Sequence, residues 1–305
     1  MVRATAWGVA PILAIALIVQ VTSYALFGGT AARQSIPAHL SAAWPFDLTG
    51  TAVARIPAFR RELAAAALLR DDTARAATLL AGAGSGDDAD DLRGRVADAG
   101  GDLAAAAQAY GRAGDIVRAR TLIDGVAARD PLAALHLAET FDRVAAARDV
   151  PAAVIAQSDW REGELAAQVA DAAPGGAPAY VREALARYEA AARLDPTQDA
   201  YGLSTGFEAI VAGDDRLARD AYARVVAHTA QSIDGLVGLA VASALTGDCP
   251  NAVNTYAHAR SLAALQHVSL GIERAGYGLR AQRAFARCAG SGEPTFGLPE
   301  RATFR

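Results

Sequence analysis

A short motif that begins with glycine and aspartate occurs three times in the chain, at Gly101, Gly213 and Gly247. Each copy has the form G-D-x3-A-x3-Y-x2-[AV], and the last two copies lie 34 residues apart. A period of this length is typical of helix pairs stacked into a solenoid, where a unit buries its apolar face only against a neighbour. The motif therefore predicts an all-α chain of repeated helix pairs, a fold that offers a long surface to partners.

The residue types in the motif explain how it would join and pack two helices. Glycine can end the first helix in the left-handed conformation, and the aspartate can cap the free amides of the second helix. The alanine, the tyrosine and the last small residue fall on one face of that second helix. These positions are Ala106, Tyr110 and Ala113, then Ala218, Tyr222 and Val225, then Ala252, Tyr256 and Ala259. We interpret them as packing residues.

The segment YVREALARYEAAARLDP contains the same pattern with a proline after it, in the residues Ala184, Tyr188, Ala191 and Pro196. With these residues the chain resembles the tetratricopeptide repeat family, whose second helix carries small, aromatic and small residues and ends in a proline turn. Gly206, Leu239 and Ala240 stand where the first helix of that family has small residues and leucine, whereas Ala209 and Ser243 replace its usual aromatic residue. The resemblance implies a superhelix of antiparallel helix pairs, with Tyr188, Tyr222 and Tyr256 buried between helices.

Weaker copies of the pattern extend it in both directions. Asp72, Ala76, Leu80 and Ala83 keep the spacing and the cap, and Gly94 stands in the first helix before the copy at Gly101. Ala281, Phe285 and Cys288 resemble the second helix of a truncated last unit.

The register of the repeats slips between Ala106 and Ala184, which are ten residues further apart than two full repeats. Helix breakers occur at Val150-Pro151 and at residues 174–178. We interpret the first as an irregular helical connection and the second as a linker. The insertion is either a loop that binds a partner or the ordinary drift of a degenerate repeat.

The N-terminal region predicts a membrane anchor. Residues 8–27 carry no charge and as a helix would be about 30 Å long, the thickness of a hydrocarbon core. Arg3 precedes this segment and Arg33 follows it, so the charge bias for a cytoplasmic N-terminus is slight. The alternative is a cleaved signal peptide, with small residues near Ala32 as the processing site, although the apolar stretch is long for one.

Composition and charge exclude several other classes of protein. The 305 residues include 29 basic residues, all arginine, and the net charge is -4 without a basic stripe, which argues against binding nucleic acid.

We expect an anchor over residues 1–32, a neck over 33–56, degenerate repeats over 57–173, well-formed repeats over 178–290 and a tail over 291–305.

Cys249 and Cys288 are the two cysteines of the chain. An even number in an exported chain makes a disulfide possible. If both cysteines lie on parallel second helices, one near its start and the other near its end, their Cα atoms are too far apart for a bridge. This geometry favours unpaired thiols, and the sequence leaves the pairing of the two cysteines open.

Motifs that carry chemistry are missing from the sequence. The five histidines form no zinc pattern, and no nucleophile elbow, phosphate loop or dinucleotide fingerprint occurs. The acidic run at residues 87–91 lacks the glycine of a calcium loop, because Leu92 follows it, and is interpreted as a solvated helix start. We therefore expect neither enzymatic activity nor a cofactor.

The resemblance to the repeat family places a partner-binding groove on the first helices. The residues that would line it are apolar, namely Leu203, Phe207, Val211, Val237 and Val241. Such a groove suits a hydrophobic helix or an extended apolar segment of a protein. Individually, these residues would serve equally well as core against the next unit.

Two functions are consistent with these observations. The first is a scaffold fixed in a bacterial inner membrane through residues 8–27, whose extracytoplasmic repeats hold a protein partner that is itself membrane-associated. The second is a structural accessory subunit of a larger integral membrane complex, in which Gln20, Thr22 and Ser23 of the anchor form hydrogen bonds with other helices.

Overall fold

The computed structural model describes residues 57–173, 177–267 and 278–290, and every regular element within these ranges is an α-helix. The chain divides into two units, Met1–Asp102 and Leu103–Arg305. The predicted anchor at residues 8–27, the neck and the C-terminal tail lie outside the described residues. Within the described ranges, no helix combines the length and the apolar character needed to cross a membrane.

The first unit contains the helices α1 (Pro57–Leu68), α2 (Thr73–Leu80) and α3 (Asp87–Ala99). Their apolar core consists of Ala64, Ala67, Ala76, Leu80, Ala83 and Leu92. The Asp72 side chain accepts a hydrogen bond from the Arg75 amide and so caps α2, as the spacing predicts. Asp71 takes the place of the motif glycine and has φ +59°, the left-handed conformation that glycine adopts most easily.

The second unit contains ten helices within the described residues. They are α4 (Leu103–Ala113), α5 (Ile116–Ala127), α6 (Pro131–Ala145), α7 (Ala152–Ala172), α8 (Pro178–Leu194), α9 (Asp199–Ala212), α10 (Asp215–His228), α11 (Ile233–Leu245), α12 (Cys249–Leu265) and α13 (Gly278–Ala289). From α6 to α12 each helix packs against the next one along the chain, and α9 also packs against α11. Consecutive packing of this kind is the arrangement expected of stacked helix pairs.

The Gly-Asp motif forms the predicted turns between α9 and α10 and between α11 and α12. Gly213 has φ +86° and Gly247 has φ +82°, so both end their helices in the left-handed conformation. The aspartate after each glycine then accepts a hydrogen bond from the amide three residues later, at Leu217 and Asn251. Ala184, Ala218 and Ala252 are each 0% exposed, which confirms that the three units place them in equivalent positions.

The motif tyrosines pack against glycines of the first helices. Tyr222 on α10 is 1% exposed and lies between Gly206 of α9 and Gly238 of α11, where a Cβ on either glycine would overlap the ring. Tyr188 on α8 is 3% exposed and meets Gly163 of α7 in the same way. The prediction of buried tyrosines is confirmed for these two, whereas Tyr256 is half-buried.

The register slip is located by the pairing of Gly163 with Tyr188. The equivalent pair in the next unit, Gly206 and Tyr222, is separated by nine fewer residues, so most of the ten-residue insertion lies between Gly163 and Tyr188. Part of it lengthens α7, which has 21 residues compared with 14 in α9. The rest is divided between the connection and the start of α8, which has 17 residues compared with 14 in α10.

A further copy of the motif was missed because an isoleucine replaces the tyrosine. Gly114 has φ +70°, and the Asp115 side chain accepts a hydrogen bond from the Arg118 amide to cap α5. Ala119 and Ile123 follow at the motif spacing and are 0% and 5% exposed. The pattern of glycine, aspartate and small residue therefore marks helix junctions more generally than the tyrosine does.

The expectation of two unpaired thiols was wrong. Cys249 and Cys288 form a disulfide, and their Cα atoms lie 4.8 Å apart. The error came from taking both cysteines to lie on parallel second helices. Cys249 is the first residue of α12 and Cys288 lies in the last turn of α13, and α13 packs on both α11 and α12. The end of one helix therefore meets the start of the other.

Candidate functional site: an apolar ridge, a terminal strap and a buried ionic cluster

The predicted groove residues of α9 form a half-open apolar ridge. Leu203, Phe207 and Val211 are spaced by four residues and so lie along one side of the helix. Leu203 and Phe207 are half-buried and pack on the apolar core of the second unit, and Val211 is 45% exposed. We call these three residues the α9 ridge. It presents apolar surface next to solvent on a first helix.

The two predicted groove residues of α11 are core residues. Val237 is 3% exposed and Val241 is 1% exposed, although the 34-residue register makes them equivalent to Leu203 and Phe207. The helix α13 packs on α11. Its apolar side chains Ala281, Ala284 and Phe285 belong to the same buried cluster as the two valines. Sequence reasoning expected a second helix here and did not foresee that α13 would cover this face.

The helix α13 is held at two points. The residues that hold it occupy the same position in two successive repeats. Near its start, the Arg280 guanidinium donates to both carboxylate oxygens of Asp215 at 2.7 Å and to the Ile210 carbonyl at 2.9 Å. Near its end, Cys288 is bonded to Cys249, which lies 34 residues after Asp215. Arg280 and Cys288 are eight positions apart, which corresponds to about 12 Å along the helix axis. This distance is comparable to the spacing of neighbouring helices. The helix is therefore a strap across two units, and we call it the α13 strap.

Aromatic side chains from α7 pack next to α9. The Trp160 indole Nε1 donates a hydrogen bond to the Ser204 hydroxyl at 3.1 Å, and its ring lies 6.0 Å from that of Tyr201. Trp160 is half-buried, so part of its ring is accessible beside α9. Sequence reasoning missed this contact because the inserted residues conceal the register between α7 and α9.

A cluster of charged side chains is buried where α6, α7 and α8 meet. Glu162 of α7 is 0% exposed, and one of its oxygens, Oε2, lies 2.6 Å from Arg187 Nη2 of α8. Its other oxygen, Oε1, has no hydrogen-bond partner among the described residues. Arg187 also donates to Asp159 at 3.2 Å, while Asp142 of α6 accepts a hydrogen bond from Ser158 at 2.8 Å. Carboxyl groups therefore outnumber the guanidinium groups in this cluster.

The environment of the cluster favours the neutral form of Glu162 and of Asp159. Burial raises the pKa of Glu162 to about 9, and the nearby charge of Asp142 raises it further while Arg187 opposes the change. Burial also raises the pKa of Asp159, against the lowering effect of Arg187. Burial therefore favours the protonated form of Glu162 inside the helix packing. Its spacing with Leu165, Ala166 and Val169 could have shown that it lies on the apolar face.

Within the described ranges, no group of three or more histidine, cysteine, aspartate or glutamate side chains is arranged to hold a metal ion.

Comparison with known proteins adds a loose structural similarity. No family model matches the chain, and no curated protein matches it. A solved structure described as the crystal structure of MamA protein superposes with a TM-score of 0.41 at 14% sequence identity. The match covers 59% of this chain and 93% of the MamA chain. A TM-score and an identity this low say nothing about function.

Proposed function

We propose that the protein is a scaffold of stacked helix pairs that binds another protein through the α9 ridge. The observation that carries this proposal is the apolar surface on α9, a first helix, where Val211 is 45% exposed and Leu203 is half-buried. On α11 the equivalent ridge is covered by the amphipathic α13 strap. An amphipathic helix from a partner is therefore the ligand whose chemistry fits the α9 ridge best.

In this proposal residues 8–27 anchor the protein in a bacterial inner membrane, with the helical units outside the cytoplasm. The uncharged N-terminal segment supports the anchor. The disulfide between Cys249 and Cys288 supports an oxidising compartment, because such bonds are rare in the cytoplasm of most bacteria. A membrane-associated partner follows from the position of the anchor.

The binding proposal is tested by a matched pair of variants. Val211 is 45% exposed on α9, and Val253 is 40% exposed on α12, away from the ridge. The full chain is solubilised in mild detergent, and a protein that co-purifies in fixed stoichiometry is then purified separately. We expect Val211→Gln to weaken its binding about tenfold through loss of apolar contact, and Val253→Gln to leave it unchanged. Equal affinities of the two variants would show that the α9 ridge is not the binding surface.

The location is tested by two further measurements. A reporter that fluoresces only in the cytoplasm, joined to Arg305, should remain dark, and the mature protein should keep its full mass. A bright reporter would place the helical units in the cytoplasm. A mature N-terminus near Ala32 or Arg33 would mean a soluble exported protein. Binding that depends on Gln20, Thr22 and Ser23 instead of the α9 ridge would favour the accessory-subunit function.

A further inference from the structure

We propose that the α13 strap is a redox-controlled cover, released from α11 when a dithiol reduces the disulfide between Cys249 and Cys288. Release would uncover the ridge of Val237 and Val241 and join it to the α9 ridge. The part of this inference that concerns partner binding rests on the proposed function, whereas the release itself does not.

The two anchors of the strap differ greatly in strength. Arg280 and Asp215 form an ion pair between side chains that are 49% and 21% exposed, and such surface pairs contribute little to stability. The disulfide is covalent and closes a loop across 39 residues of sequence. Once it is broken, the unfolded and detached states of α13 regain much of their conformational entropy. The strap then depends on its apolar contacts and on the hydrogen bonds of Arg280 to Asp215 and to the Ile210 carbonyl.

Among the side chains of α13 that the structure describes, the largest apolar contact is made by Phe285. Ala281, Ala284 and Phe285 are buried, and the Phe285 ring meets the Tyr256 ring edge-on with centroids 5.3 Å apart. Two of these three side chains are alanines, which bury little apolar surface. The surface underneath is different in kind, because α11 is apolar on nearly all sides and includes the buried Leu236, Val237 and Val241. Release therefore exposes the apolar surface of α11 as well as Phe285, and the burial of both opposes it.

The disulfide is placed where a reductant can reach it. Cys249 and Cys288 are both half-buried, at the start of α12 and the end of α13. A thiolate of the dithiol attacks one sulfur and forms a mixed disulfide, and the thiolate that leaves takes up a proton. The second thiol of the reductant then displaces the other cysteine, so the reductant is oxidised and both cysteines end as thiols.

The register explains what the uncovered surface would bind. Val237 and Val241 occupy the positions of Leu203 and Phe207 in the next unit, and Leu245 occupies that of Val211. Uncovering α11 would therefore extend the α9 ridge by one unit in the same direction. The helix that occupies this position in the oxidised protein is amphipathic, so the partner that replaces it is expected to present an amphipathic helix as well.

The release is tested by hydrogen exchange of the full chain in detergent without any partner. Oxidised protein is compared with protein reduced by dithiothreitol and with the double variant Cys249→Ser/Cys288→Ser. We expect amide exchange in residues 280–289 to become about tenfold faster or more in both reduced forms, with a smaller increase in α11 and no change in α8. Arg280→Gln should add to the effect of reduction and have little effect in the oxidised protein.

Unchanged protection of residues 280–289 after complete reduction would overturn the proposal. Loss of protection throughout α8 to α12 would overturn it too, because the disulfide would then hold the whole unit together. If the double variant does not fold, reduction and reoxidation of the wild-type protein give the same comparison. A co-purified partner is measured separately in both redox states. Release without stronger partner binding would contradict the extended ridge while leaving the strap mechanism intact.

Discussion

Around Tyr222 three helices meet through one aromatic ring and two glycines, whereas around Glu162 three helices meet through charged side chains. The first contact joins α9, α10 and α11, and the ring is 1% exposed. The second joins α6, α7 and α8, and places a carboxyl group that is 0% exposed beside Arg187, Asp142 and Asp159. Both contacts lie in the second unit.

The difference shows two ways of fixing how neighbouring helices fit. A ring against glycines is specific in shape, because any side chain added at the glycine collides with the ring. A buried acid beside an arginine is specific in charge, and burying it costs free energy that depends on its protonation. The packing around Tyr222 should therefore respond to volume and that around Glu162 to pH.

The largest expected effect follows from removing the ring. Tyr222→Ala should lower the free energy of unfolding of the α9 to α12 segment by about 3–5 kcal/mol, because it leaves a cavity between three helices. Tyr222→Phe keeps the ring and serves as the control. Denaturant unfolding and hydrogen exchange of the segment provide the measurement. An unchanged midpoint for the alanine variant would contradict the packing described for this residue.

The next effect tests the glycine side of the same contact. A methyl group at Gly238 would overlap the Tyr222 ring, so Gly238→Ala should destabilise the segment by about 1–3 kcal/mol. A methyl group at Gly125 of α5 would meet no neighbouring side chain or helix within 4 Å, so this glycine is the matched control. Gly125→Ala should stabilise by up to about 1 kcal/mol through helix propensity. If both substitutions stabilise the protein, the close approach of the ring is absent.

Glu162 makes the packing of α6, α7 and α8 depend on pH. Its pKa is about 9 in the folded protein and near 4.5 when unfolded, so folding takes up a proton between these values. The contribution of this group to stability is complete below pH 4.5 and is lost as pH rises towards 9. Between pH 7 and pH 8 the free energy of unfolding of the wild-type protein should fall by up to about 1.4 kcal/mol because of this group. The Glu162→Gln variant should not show this part of the decrease.

Urea midpoints of the wild type and of Glu162→Gln, measured from pH 5 to pH 8, test this expectation. The neutral amide keeps the shape of the acid but has no proton to lose, so its curve should be flatter. Asp159 and Glu183, whose pKa values burial also raises, remain in both proteins and account for a residual slope. Parallel curves would mean that Glu162 is ionised in the folded protein.

The smallest expected effect concerns the helix caps of the two regions. Asp214, Ser232 and Asp248 cap α10, α11 and α12, whereas α7 and α8 begin without a side-chain cap. Ala177→Ser should supply a cap to α8 and stabilise it by about 0.5–1 kcal/mol, and Asp214→Ala should cost a similar amount at α10. Thermal unfolding measures both effects. A serine variant that unfolds at a lower temperature than the wild type would contradict the conclusion that α8 begins without a side-chain cap.

The regular part of the fold could be predicted because each motif residue has one local role. Glycine and aspartate at residues 213 and 214 act within one turn, and Ala218 and Tyr222 act at fixed spacing on one helix. The same reasoning missed the junction at Gly114 because it required an aromatic residue. It also located the register slip only roughly, since the lengthening of α7 leaves no breaker inside the helix.

The candidate site was predictable only in part, because exposure depends on which helix packs over a face. Leu203 and Val237 have the same spacing and the same type of side chain, yet only the first borders solvent. Which faces of α9 and α11 are exposed depends on how the neighbouring helices, including α13, pack on them. That packing is a property of tertiary structure and not of the local sequence. The disulfide was misjudged for the same reason, whereas Glu162 on an apolar helix face gave a signal that could have been read.

Growth of a repeat array must stop at some unit, and α13 shows how it stops here. A further unit would place a glycine of its first helix against Tyr256, but α13 brings Phe285 to that ring instead. Its other side carries Arg280, Arg283 and Arg287, all exposed and close to one helix face. Terminal repeats need such a polar outer side to stay soluble. Among the described residues, α13 thus presents a charged surface beyond the last helix pair.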